Sequence, residues 1–250
     1  MSSKNRSGKN IEGDKFYTPP WCVRQCVEIV LPTIRDNRPP KRIIEPSAGA
    51  GAFLEQLRPA LPSAHIVAND LDPTVGPWDD ANVSMHADFL ADPMQCDFDL
   101  CIGNPPFTLA LEFVEKSLMI ATQVVYLLRQ GFLASEERRE ILRKSPLSDI
   151  FALAHRPSFT ADGKTDSENY LFCCWTDGWW DAPARFHLLP TVSLDERKVL
   201  AKGLKGYEPK AVVPRLHHDK LFGSNSLYDG LFKECPGCGY PFEKCGCPHP

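Results

Sequence analysis

The chain has 250 residues, 43% hydrophobic and 24% charged, with a formal net charge of -4 at pH 7. This suits one main domain with a small appendage. It excludes a global attraction to polyanions, so any nucleic-acid contact must come from local patches.

Met1 to Asp14 is polar and lysine-containing, with no apolar core, and no apolar run approaches the about 18 residues that span a bilayer. Residues 1–15 are read as a disordered tail rather than a signal peptide, and a cytoplasmic location is expected. Thr18-Pro19-Pro20 then offers a cap and a proline-rich entry to a helix over Trp21 to Leu31, with Val23, Val27 and Val30 at helical spacing. The Pro39-Pro40 pair ends that segment.

Strand-like and helical segments alternate from there. Strands are predicted over Arg42–Glu45, Ala64–Asn69, Val83–Ala87, Asp99–Gly103 and Val124–Leu128. Helices are predicted from Ala52, over Leu109–Ala121 with Leu111, Val114 and Leu118 on one face, and over Glu136–Lys144. Ile150–Ala154 and Tyr170–Trp175 close the series as a strand pair joined by the polar loop Arg156–Asn169. This alternation predicts an α/β domain over residues 16–190, an open and mostly parallel sheet covered on both faces. Such sheets bind ligands beyond the carboxyl ends of their strands.

The first strand ends at Glu45 and runs into Pro46-Ser47-Ala48-Gly49-Ala50-Gly51. Small residues there let a backbone turn closely around a ligand before a helix starts. No lysine or arginine lies in the turn to meet a pyrophosphate, which favours a nucleoside ligand without one. About 20 residues on, Asp70 and Asp72 are both placed to bind ribose hydroxyls, or to serve as turn aspartates before Pro73; Asp70 is nearer the strand end and is preferred. Asp88-Phe89 offers an acceptor and an apolar surface suited to an adenine ring, or else a helix cap and a core phenylalanine.

Asn104-Pro105-Pro106-Phe107 follows the fourth predicted strand. The Asn104 side chain and the Pro105 carbonyl are two acceptors for the hydrogens of a planar amino group, which frees its delocalised lone pair. The two prolines fix φ and remove two backbone donors, and Phe107 can stack on a flat ring. The alternative is a tight strand-to-helix turn.

Taken in order, Phe16-Tyr17-Thr18-Pro19-Pro20, the Glu45 to Gly51 turn, Asn69-Asp70, Asp88-Phe89-Leu90 and Asn104-Pro105-Pro106-Phe107 resemble the amino-group DNA methyltransferases, in the N6-adenine branch whose cofactor segment precedes the catalytic one. The resemblance runs over roughly residues 16 to 180. It implies a Rossmann-like class I methyltransferase fold with a mostly parallel seven-stranded sheet and helices on both faces. It implies S-adenosylmethionine as methyl donor, with Tyr17, Thr18, Pro19, Glu45, Gly49 and Gly51 about its methionine part, Asp70 on the ribose, and Asp88 and Phe89 on the adenine. It implies direct in-line transfer to a flipped adenine of DNA. Asn104, Pro105, Pro106 and Phe107 would be catalytic, and Phe159 would be a second aromatic contact to the base. A loop phenylalanine of purely structural role is the other reading of Phe159. RNA adenine or a protein glutamine amide is the alternative acceptor, and a non-catalytic nucleic-acid-binding partner of another methyltransferase is the alternative class.

Residues 191–230 read as a basic extension, either a solvated surface or a phosphate-contacting strip. Residues 231–250 carry Cys235, Cys238, Cys245 and Cys247, whose spacing suggests a structural zinc site, with His249 as a substitute ligand. The remaining cysteines sit mostly in apolar contexts and read as small buried hydrophobes.

Overall fold

The computed structural model describes residues 17–34, 38–92, 97–159, 167–180 and 182–198. The expected tail, most of the basic extension, and the cysteine-rich end with Cys235, Cys238, Cys245 and Cys247 lie outside the described residues. Among the described residues no helix is long and apolar enough to cross a membrane.

A helical stretch opens the fold: α1 (Pro20–Gln25), a π-helical turn (Cys26–Val30) and α2 (Leu31–Ile34). Then follow β1 (Arg42–Glu45), α3 (Ala52–Ala60), β2 (His65–Asn69), β3 (Val83–Met85), β4 (Leu100–Gly103), α4 (Ala110–Ile120) and β5 (Gln123–Arg129). The series ends with α5 (Glu136–Lys144), β6 (Leu147–Ala152), β7 (Tyr170–Thr176), β8 (Arg185–Leu188) and α6 (Leu194–Arg197).

The strands form one sheet in the order β3-β2-β1-β4-β5-β7-β6-β8. Only β7 runs against its neighbours, pairing antiparallel with both β5 and β6. The fold is therefore α/β with a mostly parallel sheet, which among the described residues has eight strands where seven were expected. The extra strand is β8, only four residues long, whose apolar members Phe186 and Leu188 are exposed while Arg185 and His187 reach the buried Asp149. Long-range pairing specifies it: Asp149, fully buried on β6, accepts from Arg185 Nε at 2.8 Å and Nη2 at 2.9 Å, and pairs with His187 Nε2 at 2.8 Å.

Both faces of the sheet are covered, so its central strands are apolar throughout. Val125 and Leu127 pack on one side with Trp21, Val30, Phe53 and Leu57. Their neighbours Val124, Tyr126 and Leu128 pack on the other with Phe113, Val114 and Ile120. The α4 face differs from expectation: Ala110, Phe113, Val114, Ser117 and Ile120 are buried, whereas Leu111 and Leu118 are only partly so. The rotation is possible because Ser117 is satisfied inside, its hydroxyl lying 2.6 Å from both the Phe113 carbonyl and the Tyr126 hydroxyl. Cys22, Cys26, Cys101, Cys173 and Cys174 are free and buried, as the sequence suggested. Burial pushes the Cys173 thiol up to about 12, so it behaves as an apolar filler.

The strand order reverses between β1 and β4, which pair in parallel. The carboxyl ends of these two strands deliver Glu45 and Asn104 to the same edge, at the position where open α/β sheets place ligands.

Candidate functional site

Beyond that edge lies a cleft of about 480 Å³, within the usual range for small-molecule sites. Tyr17, Gly49, Asp70, Asp88, Phe89, Asn104 and Pro106 line it together. These residues come from widely separated parts of the chain, and each was a candidate on sequence grounds.

The glycine turn is shaped by left-handed backbone at Gly49 (φ 51) and Gly51 (φ 86). A side chain at either position is strained. Gly49 N–H donates to Asp70 Oδ2 at 2.7 Å, and the other Asp70 oxygen accepts from Asp72 N at 2.9 Å. The two aspartates thereby separate in role. Asp70 braces the turn directly. Asp72 also lines the cleft, but its Oδ1 closes a local turn on Thr74 N and Oγ1.

Two residues hold this frame that the sequence did not single out for the task. Asn69 is buried, and its Nδ2 donates to Pro46 O at 3.2 Å and Ala87 O at 3.0 Å. Its Oδ1 accepts from Ala87 N at 3.0 Å. One side chain therefore ties the glycine turn to the segment that presents Asp88 and Phe89. Trp78 donates from Nε1 to Gly49 O at 3.0 Å, and its Cδ1 would lie 2.8 Å from a Cβ at Gly51. The signals for these two were weak, a polar residue at a strand end and a tryptophan in a Pro/Gly-rich loop.

Asp88 is exposed and its Oδ1 accepts from Leu90 N at 3.0 Å, closing a local turn. Phe89 is buried against Phe113, ring centroids 5.1 Å apart, while still lining the cleft. Tyr17 is half-buried, its ring 3.9 Å from where a Gly49 Cβ would stand. Thr18 and Pro19 are buried, and Pro19 O accepts from Cys22 N and Val23 N, so this pair starts α1 rather than lining the cleft.

Glu45 lies beneath the turn, 1% exposed, and its Oε2 has no hydrogen-bond partner. Burial, then the negative charge of Asp70, holds its carboxyl well above the usual carboxylate range. A Cβ added to Gly103 would stand 3.5 Å from Glu45 Cγ, so β4 approaches β1 closely here. Ser47 Oγ donates to the Asn104 carbonyl at 3.3 Å, tying the glycine turn to the Asn-Pro-Pro-Phe turn. Pro105 is buried behind Asn104.

Phe107 belongs to an aromatic group beside the cleft. Its centroid is 6.1 Å from Phe159, edge to face, and 5.5 Å from Tyr170. The Arg129 guanidinium sits 4.6 Å from the Phe107 centroid, and Arg129 Nε donates to the Tyr170 hydroxyl at 3.3 Å. The structure thus brings Phe107 and Phe159 into an edge contact with each other, with Phe159 buried. Among the described residues no group of three or more His, Cys, Asp or Glu side chains could hold a metal ion.

No protein-family model matches the chain. Over 110 residues it is 30% identical to the type II methyltransferase M.CvrRI of Paramecium bursaria Chlorella virus XZ-6E, a stretch that covers 43% of this chain and 27% of that protein. The chain therefore spans little more than a quarter of that relative. Among solved structures it is similar to the M protein of the type I restriction enzyme EcoKI, with a TM-score of 0.48 and 13% identity over 67% of this chain and 45% of that one. It is also similar to the 23S rRNA methyltransferase ErmE, with a TM-score of 0.47 and 14% identity over 65% and 70% of the two chains.

Proposed function

We propose that this chain transfers a methyl group from S-adenosylmethionine to the N6 amino group of adenine in DNA. One observation carries the proposal: the Asp70-braced glycine turn and Asn104 open into a single cleft, with Ser47 fastening one turn to the other. The partial identity to a type II methyltransferase supports it.

The residues present suit the cofactor. Gly49 leaves a backbone surface free of Cβ at the cleft, and Asp70 and Asp88 supply carboxylates where a cationic nucleoside would lie. Tyr17, Glu45 and the glycine turn would hold its methionine part, Asp70 its ribose, and Asp88 with Phe89 its adenine. When bound, the sulfonium supplies a methyl group already activated for transfer.

The chain then has to position and desolvate. Asn104 Oδ1 and the Pro105 carbonyl accept the two hydrogens of the acceptor amino group and draw its nitrogen toward tetrahedral geometry. No strong base is needed, because the proton can leave after the methyl arrives. Phe107 offers the ring surface for a base turned out of its stack. For that, Arg129 has to yield the face it now covers.

The test is incubation with labelled S-adenosylmethionine and DNA, RNA or protein, followed by nucleoside and amino-acid analysis. N6-methyladenine in DNA is expected. Label confined to RNA, or to protein glutamine, overturns the assigned acceptor.

A further inference from the structure

Four residues beyond β6, the connection to β7 carries an arginine whose side chain is held in place. Arg156 is exposed, and its Nε donates to Asn169 Oδ1 at 3.0 Å. Asn169 is itself fixed on both sides: its Nδ2 donates to Gln130 Oε1 at 3.1 Å and its carbonyl accepts from Gln130 N at 2.8 Å. The residues after Arg156 anchor it further, since Pro157 and Phe159 are buried. One nitrogen of the guanidinium is thus committed to positioning. The two terminal nitrogens, the fork that binds oxyanions in bidentate fashion, bond to nothing among the described residues. An exposed side chain held this way loses rotamer freedom without burying apolar surface, so its positioning calls for an external partner.

Position identifies that partner. Gln130 follows Arg129, whose guanidinium lies on Phe107, and Phe159 touches the Phe107 ring edge. Arg156 therefore stands at the rim of the aromatic group assigned above to the acceptor base. The acid nearest to Asn169 in sequence is Glu168, and Arg156 makes no ion pair with it or with any other described residue. With a net charge of -4, the chain has no global field to hold a polyanion, which leaves such contacts to local cations of this kind.

We propose that Arg156, set by the Gln130–Asn169 clamp, binds a backbone phosphate of duplex DNA beside the target nucleotide. The inference rests on the acceptor reading above. Phosphate contacts set register and orientation without reading sequence, so Arg156 fixes how the duplex meets Phe107 and not which adenine is chosen.

Counterion release tests this without knowledge of the target site. Full-length protein is titrated with mixed-sequence duplex DNA from about 50 to 200 mM salt. Loss of one phosphate contact lowers the slope of log affinity against log salt by about 0.9, which over that range corresponds to about 3.5-fold in affinity. R156Q is expected to show that lower slope, and R156K to keep the wild-type slope, with S-adenosylmethionine binding unchanged in both. Asn169→Ala is expected to weaken duplex binding at constant slope, because the arginine remains but is no longer held. A wild-type slope in R156Q overturns the phosphate contact while leaving the methyltransferase reading intact. Wild-type protein that binds S-adenosylmethionine but no duplex removes the DNA acceptor and this inference together.

Discussion

Asp70 and Gly49, both on the wall of the cleft, are locked together by a 2.7 Å hydrogen bond from the glycine N–H to the carboxylate. An acid at the end of β2 thus holds the shape of the turn after β1 as well as lining the cleft. Asp70→Ala is expected to weaken S-adenosylmethionine binding by at least about tenfold and to lower stability by about 1.5–3 kcal/mol, the range for a hydrogen bond to a charged group. Calorimetric titration and denaturant unfolding measure the two effects separately. Unchanged affinity removes Asp70 from the ligand contacts.

Asn104→Ala should abolish methyl transfer while S-adenosylmethionine binding stays largely intact. The side chain is assigned to the acceptor amino group, so its loss is read in single-turnover transfer. Full activity in this variant would falsify the proposed acceptor role.

Gly51 combines a φ of 86 with an indole carbon 2.8 Å from where its Cβ would stand. Gly51→Ala therefore costs both backbone strain and displacement of Trp78, expected at more than about 1 kcal/mol. Trp78→Phe is expected to cost about 1 kcal/mol through the lost bond to Gly49 O. The two changes meet at one contact, so their effects in thermal unfolding should be non-additive.

Glu45 yields a signed pH dependence. Its folded carboxyl titrates well above the ordinary range because of burial and then the charge of Asp70. The folded state thus keeps a proton that the unfolded chain has released, and stability falls as pH rises from about 4.3, the unfolded glutamate value, toward the folded one. Glu45→Gln cannot lose that proton. The wild-type minus variant difference in unfolding free energy is therefore expected to become more negative with rising pH over that window. A flat difference curve would show that Glu45 is ionised in the fold.

The parts of this site that were legible in sequence are those where backbone chemistry is local. Positive φ at Gly49 and Gly51 was implied by glycines between a strand and a helix, and the Asn104 turn by its prolines. Asp70 was preferred over Asp72 for its place at the strand end, but the partners that separate them, Gly49 N for Asp70 and Thr74 for Asp72, are seen only in the fold. Trp78 and Asn69 act through contacts with a turn 29 and 23 residues away, which no periodicity reports. β8 was missed because its residues are chosen to match buried Asp149, not to fill an apolar face. The α4 stripe was misplaced because a buried serine counts as polar until its partners Phe113 and Tyr126 are known.

The single reversed strand has a consequence for how such a protein can diversify. Because β7 runs against β5 and β6, the chain between Ala152 and Tyr170 both leaves and re-enters the sheet at the edge that carries Asn104. It needs no crossover helix, and lengthening a flexible connection costs only about 0.6 kcal/mol per doubling. New segments can therefore be spliced in beside the acceptor without shifting the register of any strand. The hairpin is an insertion port, where recognition of a different target could be acquired while the cofactor half of the fold stays as it is.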